Sequence, residues 1–177
     1  MEVSYKFILV GDGDVGKTKF YYRHAKNQFN QRHNVNVKLE IHPMDHDCTF
    51  ENHDCGEYDG DIYHRGLYPS EYYDEVGNTI LPGNPSEGAI VMYDLTDVYS
   101  YDHVRGWVSW IHSHYGDIPI VVCGNKIDKE NNIISANQKS LLRGIDGVIG
   151  YYDISCKNGQ NFEESILHLI RSEIGEH

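Results

Sequence analysis

Strands alternating with helical stretches predict an α/β protein, with a doubly wound, mostly parallel sheet flanked by helices. Three observations carry that prediction. The apolar runs Phe7 to Val10, Ala89 to Tyr93 and Ile118 to Cys123 read as strands buried on both faces. Val104, Trp107, Val108 and Ile111 show the apolar spacing of an amphipathic helix. A glycine-rich octapeptide, Gly11-Asp12-Gly13-Asp14-Val15-Gly16-Lys17-Thr18, joins the first apolar run to the first helical stretch. Sheets of this kind bind ligands beyond the carboxyl ends of their strands.

The elements follow in order. Residues 4–10 predict a buried strand, and residues 17–26, free of Pro and Gly, a helix. Residues 27–37 are polar and predict a loop. Val37 to Ile41 alternates as a strand does, with Val37, Leu39 and Ile41 on one face. Residues 44–73 hold many His, Asp, Tyr and Gly and show little periodicity. Residues 89–93 predict a strand. Residues 98–115 predict one amphipathic helix, with Trp107 and Trp110 packed in the core. Pro119 must sit near the start of the next strand, 118–123. A short helix over 133–143 ends near Gly144, and Val148 to Ile154 is the last strand. Asn161 and Glu164 predict an N-cap and capping box. Phe162, Ile166, Leu169 and Ile170 form the apolar face of the closing helix.

Length predicts one domain over 1–177, with an atypical segment at about 44–87. The net charge of −12 argues against direct nucleic-acid binding, which phosphate neutralisation drives. It does not argue against a nucleotide, which needs only a local nest of donors and a metal. No apolar run approaches membrane-spanning length. The first residues lack the pattern of a signal peptide, Glu2 excludes a myristoylation signal, and Gly175-Glu176-His177 offers no prenylatable Cys. Four cysteines suit a reducing compartment. The expectation is a soluble cytoplasmic or nuclear monomer without a membrane anchor.

The octapeptide reads G-x-x-x-x-G-K-T. After a strand and before a helix, that spacing is a phosphate-binding loop. Its glycines let backbone N–H groups converge on a polyphosphate, and the helix N-terminus adds partial positive charge. Gly13 to Lys19, through Asp14, Val15 and Gly16, would hold the phosphates. Lys17 would reach the β- and γ-phosphates, and the Thr18 hydroxyl would ligate Mg²⁺. The bland alternative is a Gly-rich turn that matches by chance.

Asn125-Lys126-Ile127-Asp128 directly follows the strand ending at Cys123. N-K-x-D in that context reads guanine. The Asp128 carboxylate can accept from both N1–H and the 2-amino group, and adenine presents neither donor there. The Lys126 stem would lie against the ring, and Asn125 would tie this loop to the phosphate loop. Ser155-Cys156-Lys157 follows the last strand, where backbone N–H groups could reach guanine O6. A plain strand-to-helix turn is the alternative there.

With these motifs in place, the chain resembles the Ras superfamily of small GTPases, and the Ran branch most closely. Phe7 to Gly13, Arg23-His24, Glu40-Ile41-His42-Pro43, Ile118 to Asp128 and Tyr151 to Ser155 carry the resemblance. It covers most of residues 4–174 and is weakest over about 44–87. It implies a P-loop NTPase fold, GTP/GDP as ligand, Mg²⁺, and partners that are effectors, exchange factors and GTPase-activating proteins of unknown identity. In family terms Phe29 matches the switch I aromatic that meets the guanine edge. Asp74-Glu75-Val76-Gly77 matches D-x-x-G, whose Asp holds Mg²⁺ through water and whose Gly N–H meets the γ-phosphate. Asp54, in Asp54-Cys55-Gly56, is the other candidate for that aspartate.

The departures are specific. The switch I threonine, a Mg²⁺ ligand, aligns with Asn36, and the catalytic glutamine with Asn78. Asp14 stands where the family usually has Gly. The segment from Pro43 to Asp74 is longer than the family's hairpin, and that from Asn78 to Gly88 is shorter than its switch II. The acidic tail of Ran is absent, and its receptor-directed basic residues have no clear counterpart in Lys129–Arg143. His46, Cys48, His53 and Cys55 would offer two Cys and two His to Zn²⁺ if Glu51-Asn52 turns a hairpin, although the spacing matches no recognised zinc-finger pattern. The resemblance implies a switch that hydrolyses GTP slowly, with Lys17, Gly77 and Asn78 at the reacting phosphate. The alternative is a nucleotide-stabilised interaction module with little or no hydrolysis.

Overall fold

The computed structural model describes residues 3–41 and 86–175. The elements are β1 (Val3–Gly11), α1 (Lys17–Lys26), α2 (Phe29–His33), β2 (Val35–Ile41), β3 (Gly88–Asp94), α3 (Val98–Asp102), α4 (Val104–Tyr115), β4 (Ile120–Asn125), α5 (Ala136–Leu142), β5 (Val148–Asp153) and α6 (Phe162–Glu173). The five strands lie in the order β2-β1-β3-β4-β5, and every ladder is parallel. The expected α/β class is what the chain adopts.

Alternation along β1 builds two core layers. Tyr5, Phe7 and Leu9 pack with Phe20 of α1, Phe29 of α2, and Phe162, Ile166 and Leu169 of α6. Ile8 and Val10 point the other way, toward Val104, Trp107, Val108 and Ile111 of α4 and Leu142 of α5. Helices therefore cover both faces, and every residue of β3 is buried. That double burial is why the central strands read as unbroken apolar runs.

Four local expectations are corrected. The polar stretch 27–37 contains α2, bracketed by Gln28 at φ 52° and Asn34 at φ 50°. A single helical turn is too short to show periodicity, and its one anchor is the buried Phe29. β2 then starts at Val35, two residues before the alternation becomes legible. The helix expected over 98–115 is two helices that meet at His103. Asp97 caps the first by accepting the Tyr99 N–H. The capping box lies not at Asn161 and Glu164 but at Ser135 and Gln138. Asn161 is left-handed, and its side-chain amide donates to the Asp153 carbonyl instead. Pro119 precedes β4 as expected, and its carbonyl accepts the Ala89 N–H.

The strand order reverses between β1 and β3. The loop after Gly11 emerges at that reversal, where Gly11 pairs with Met92. This is the crevice that doubly wound sheets use for ligands. Among the described residues no helix is long and apolar enough to cross a membrane.

Candidate nucleotide site

The backbone of the octapeptide depends on two glycines. Gly11 sits at φ +148°, and a Cβ there would stand 2.3 Å from the Met92 carbonyl oxygen. Gly16 sits at φ +106°, and its Cβ would stand 2.3 Å from Asn125 Nδ2. Neither position accepts a side chain. Val15 between them is buried and anchors the loop in the core, with Gly13 half-buried beside it. Gly16 caps α1 without a side-chain hydrogen bond of its own. The first-turn amides and the helix dipole make an anion site. Lys17, the first residue of α1, is buried and donates through Nζ to the Gly11 carbonyl (2.9 Å) and the Asp12 carbonyl (2.6 Å). Thr18 and Lys19 follow and are exposed.

Asp12 pins this loop to α4. Its buried carboxylate accepts from Trp107 Nε1 at 2.8 Å and lies 2.5 Å from His103 Nδ1. Trp107 is thus the core residue the sequence predicts and also a hydrogen-bond donor, which apolar spacing alone does not reveal.

The second loop is braced against the first. Asn125 is buried, and its Nδ2 donates to the Val15 carbonyl at 2.8 Å. Its Oδ1 accepts the Cys156 N–H at 3.0 Å. One side chain therefore joins the phosphate loop to the 155–157 turn. Lys126, at φ +73°, donates to the Asp14 carbonyl (3.0 Å) and the Asp94 carboxylate (2.5 Å). Burial works against ionised Asp94, but Lys126 and Thr96 outweigh it and hold the carboxyl below its usual range. Asp128 is exposed and accepts from Ser155 Oγ at 2.6 Å, which holds its carboxyl below the usual range as well. The buried Ser155 oxygen also accepts the amides of Lys157 (3.2 Å) and Asn158 (3.1 Å). Arg23 closes the unit from α1, donating to the carbonyls of Cys156 (2.6 Å) and Lys157 (2.5 Å). The site presents an acceptor carboxylate at Asp128 and a nest of amides with a cation at the octapeptide.

A family model of the Ras family matches residues 6–174. The chain belongs to the Ras family. It is a small GTPase and binds guanine nucleotide.

Two residues assigned through the resemblance do not join this unit. Phe29 is fully buried, with its ring against His24 (5.4 Å) and His33 (4.5 Å), and serves the core under α2. Asn36 pairs with Ser4 in the β1–β2 ladder. Gly11 lies seven residues along β1 from Ser4, about 23 Å at the usual rise. Because β2 runs parallel to β1, it begins at the end of the sheet away from the phosphate loop. Asp74, Gly77 and Asn78, with Asp54, His46, Cys48, His53 and Cys55, lie outside the described residues. Among the described residues no group of three or more His, Cys, Asp or Glu could hold a metal. Asp94 and Arg23 complete the braces without any motif to announce them. Arg23 stands out in the sequence only as part of the Arg23-His24 pair, one of the stretches that carry the resemblance.

Ras-family proteins generally bind Mg²⁺ along with the nucleotide. The donor chemistry here fits. Mg²⁺ favours hard oxygen, keeps several waters and takes few protein ligands beside substrate phosphates. An exposed Thr18 in the first turn of α1, beside the helix N-terminus, meets that description.

Asp14 is the unusual member of the loop. It is exposed and left-handed at φ 61°, a conformation glycine adopts freely, which accounts for the glycine common at this place in the family. Its carboxylate adds negative charge beside a polyphosphate site. Asp14→Gly is expected to release labelled GDP more slowly than the unsubstituted protein, with a difference that shrinks as salt rises. Equal release rates at low salt would show that the Asp14 carboxylate is merely solvated.

Proposed function

We propose that this Ras-family protein is a Ran-like switch that binds GTP and GDP with Mg²⁺ and hydrolyses GTP slowly. The observation that supports it best is the pair of hydrogen bonds made by Asn125, donating to Val15 and accepting from Cys156, which joins the phosphate loop, the Asn125–Asp128 loop and the 155–157 turn. Similarity to the Ran branch over Glu40-Ile41-His42-Pro43 and Tyr151 to Ser155 supports the finer placement. Lys17 would hold the β- and γ-phosphates, and loop amides would share the charge that develops on the phosphate oxygens. Thr18 would hold Mg²⁺, which would supply positive charge against the phosphates. Heat-denaturing the purified protein and identifying what it releases tests the ligand. Recovery of GDP or GTP is expected, and an adenine nucleotide alone would overturn the reading.

The rate is tied to Asn78. In family terms a side-chain amide after D-x-x-G positions the attacking water. Asn is one methylene shorter than Gln, and a misplacement of about 1 Å can cost on the order of 10²-fold. Slow intrinsic hydrolysis is expected, partly restored by Asn78→Gln in single-turnover assays of preloaded GTP. A starting rate equal to that of Asn78→Gln would show that Asn78 is not limiting.

A second reading, an interaction module with little or no hydrolysis, draws on Asn36. Its place beside Ser4 keeps it from the phosphate loop, where the family's threonine acts. The same single-turnover assay separates the two, because the module would show no turnover even with Asn78→Gln.

A further inference from the structure

The basic residues of this acidic chain are unevenly placed. Between Val15 and Leu39 there is no Asp or Glu, although the chain holds 27 of them. That stretch carries Lys17, Lys19, Arg23, Lys26, Arg32 and Lys38 out of 15 Lys and Arg in all. It folds into α1, α2 and β2, so the charge gathers on one side of the molecule. Lys17 and Arg23 turn inward to backbone carbonyls, and Arg32 pairs with Glu163. Lys19, Lys26 and Lys38 are exposed and have no carboxylate partner among the described residues.

The same elements enclose a groove of about 590 Å³. Lys38 lines it, together with Gln28, Gln31 and Asn36, and with Asn30, whose carboxamide is taken by the Val37 backbone. Tyr21 of α1 lines it too and is 40% exposed, and its ring meets that of the exposed Tyr22 edge to face at 5.8 Å. Carboxamides pair with peptide N–H and C=O groups, and exposed tyrosines supply rigid contact area. Lysines beside them favour carboxylates.

We propose that the α1–α2–β2 face docks an Asp/Glu-rich segment of a partner protein. Charge complementarity selects the occupant. A short acidic segment meets the local field of Lys26 and Lys38. A long polyanion such as RNA would also meet the repulsion of a protein with net charge −12. A groove rich in carboxamides suits a peptide backbone better than a phosphate chain.

The test is fluorescence anisotropy with a labelled twelve-residue peptide alternating Glu with Gly and Ser, at low and physiological salt. A single-stranded oligonucleotide of equal charge is run beside it. Lys26→Glu with Lys38→Glu is expected to weaken peptide binding at least about tenfold. Lys26→Gln with Lys38→Gln should fall between, which guards against a folding defect in the reversal. Arg143→Glu with Arg171→Glu, equal in charge change but on α6 and beside α5, is expected to weaken it less than about twofold. Equal losses in both reversals would overturn the proposal, as would no binding by the unsubstituted protein at low salt. Tighter binding of the oligonucleotide than of the peptide would overturn it in favour of a nucleic-acid face.

Discussion

Asp128→Asn is expected to exchange the base that this protein reads. On the proposed function the two oxygens of the Asp128 carboxylate would accept from guanine N1–H and the 2-amino group. An amide replaces one acceptor with a donor, which faces the guanine amino group and repels it. Xanthine carries a carbonyl at that carbon and gains the hydrogen bond that guanine loses. GTP affinity should fall at least about 100-fold, or about 3 kcal/mol, because an unmatched donor is left in the contact. XTP affinity should rise in the same variant. The fold has little reason to change, since the amide oxygen still accepts from Ser155 Oγ, now at 2.6 Å from the carboxylate. That hydroxyl also keeps Asp128 ionised below the usual carboxylate range, so base reading should persist as pH falls through it. Competition of GTP, XTP and ATP for labelled GDP checks both proteins. Equal affinity of the unsubstituted protein for ATP and GTP would end the guanine assignment.

The sheet and the two loops were legible because their residues obey local rules. A strand buried on both faces must be apolar throughout, and β3 is. A loop that wraps phosphate must have glycine where a Cβ would strike backbone or a neighbouring loop, and Gly11 and Gly16 do. What stayed hidden depends on partners distant in sequence. Asp12 is one more polar residue in the octapeptide until Trp107 of α4 and His103, which caps that helix, arrive. α2 is one turn long and rests on Phe29 alone. The direction of β2 is not written in its alternation, since Val37 and Leu39 face the core in either direction. That direction decides the place of Asn36, so the weakest local signal governed the most consequential correction.

Asn125→Ala is expected to damage both stability and nucleotide retention. The side chain is 2% exposed and satisfies two buried backbone groups, the Val15 carbonyl and the Cys156 amide. Removing it leaves both unpaired, at about 1–3 kcal/mol each. Against a total stability of about 5–15 kcal/mol, the unfolding midpoint without nucleotide should fall clearly. The larger effect lies in binding. On the proposed function the phosphate loop and the 155–157 turn would touch opposite ends of the nucleotide, and among the described residues Asn125 is the one side chain hydrogen-bonded to both. Without it, part of the binding energy is spent ordering the loops, and GDP release should accelerate at least about 100-fold. Asn125→Asp separates the two bonds. It keeps an acceptor for the Cys156 amide but sets a carboxylate oxygen against the Val15 carbonyl, where 2.8 Å now suits a donor. If the bond to Val15 carries the coupling, Asn125→Asp should release GDP at least as fast as Asn125→Ala. Release of labelled GDP and chemical unfolding with and without GDP measure both effects. A variant that unfolds earlier yet keeps the original release rate would show that Asn125 holds the fold together without coupling the two ends of the site.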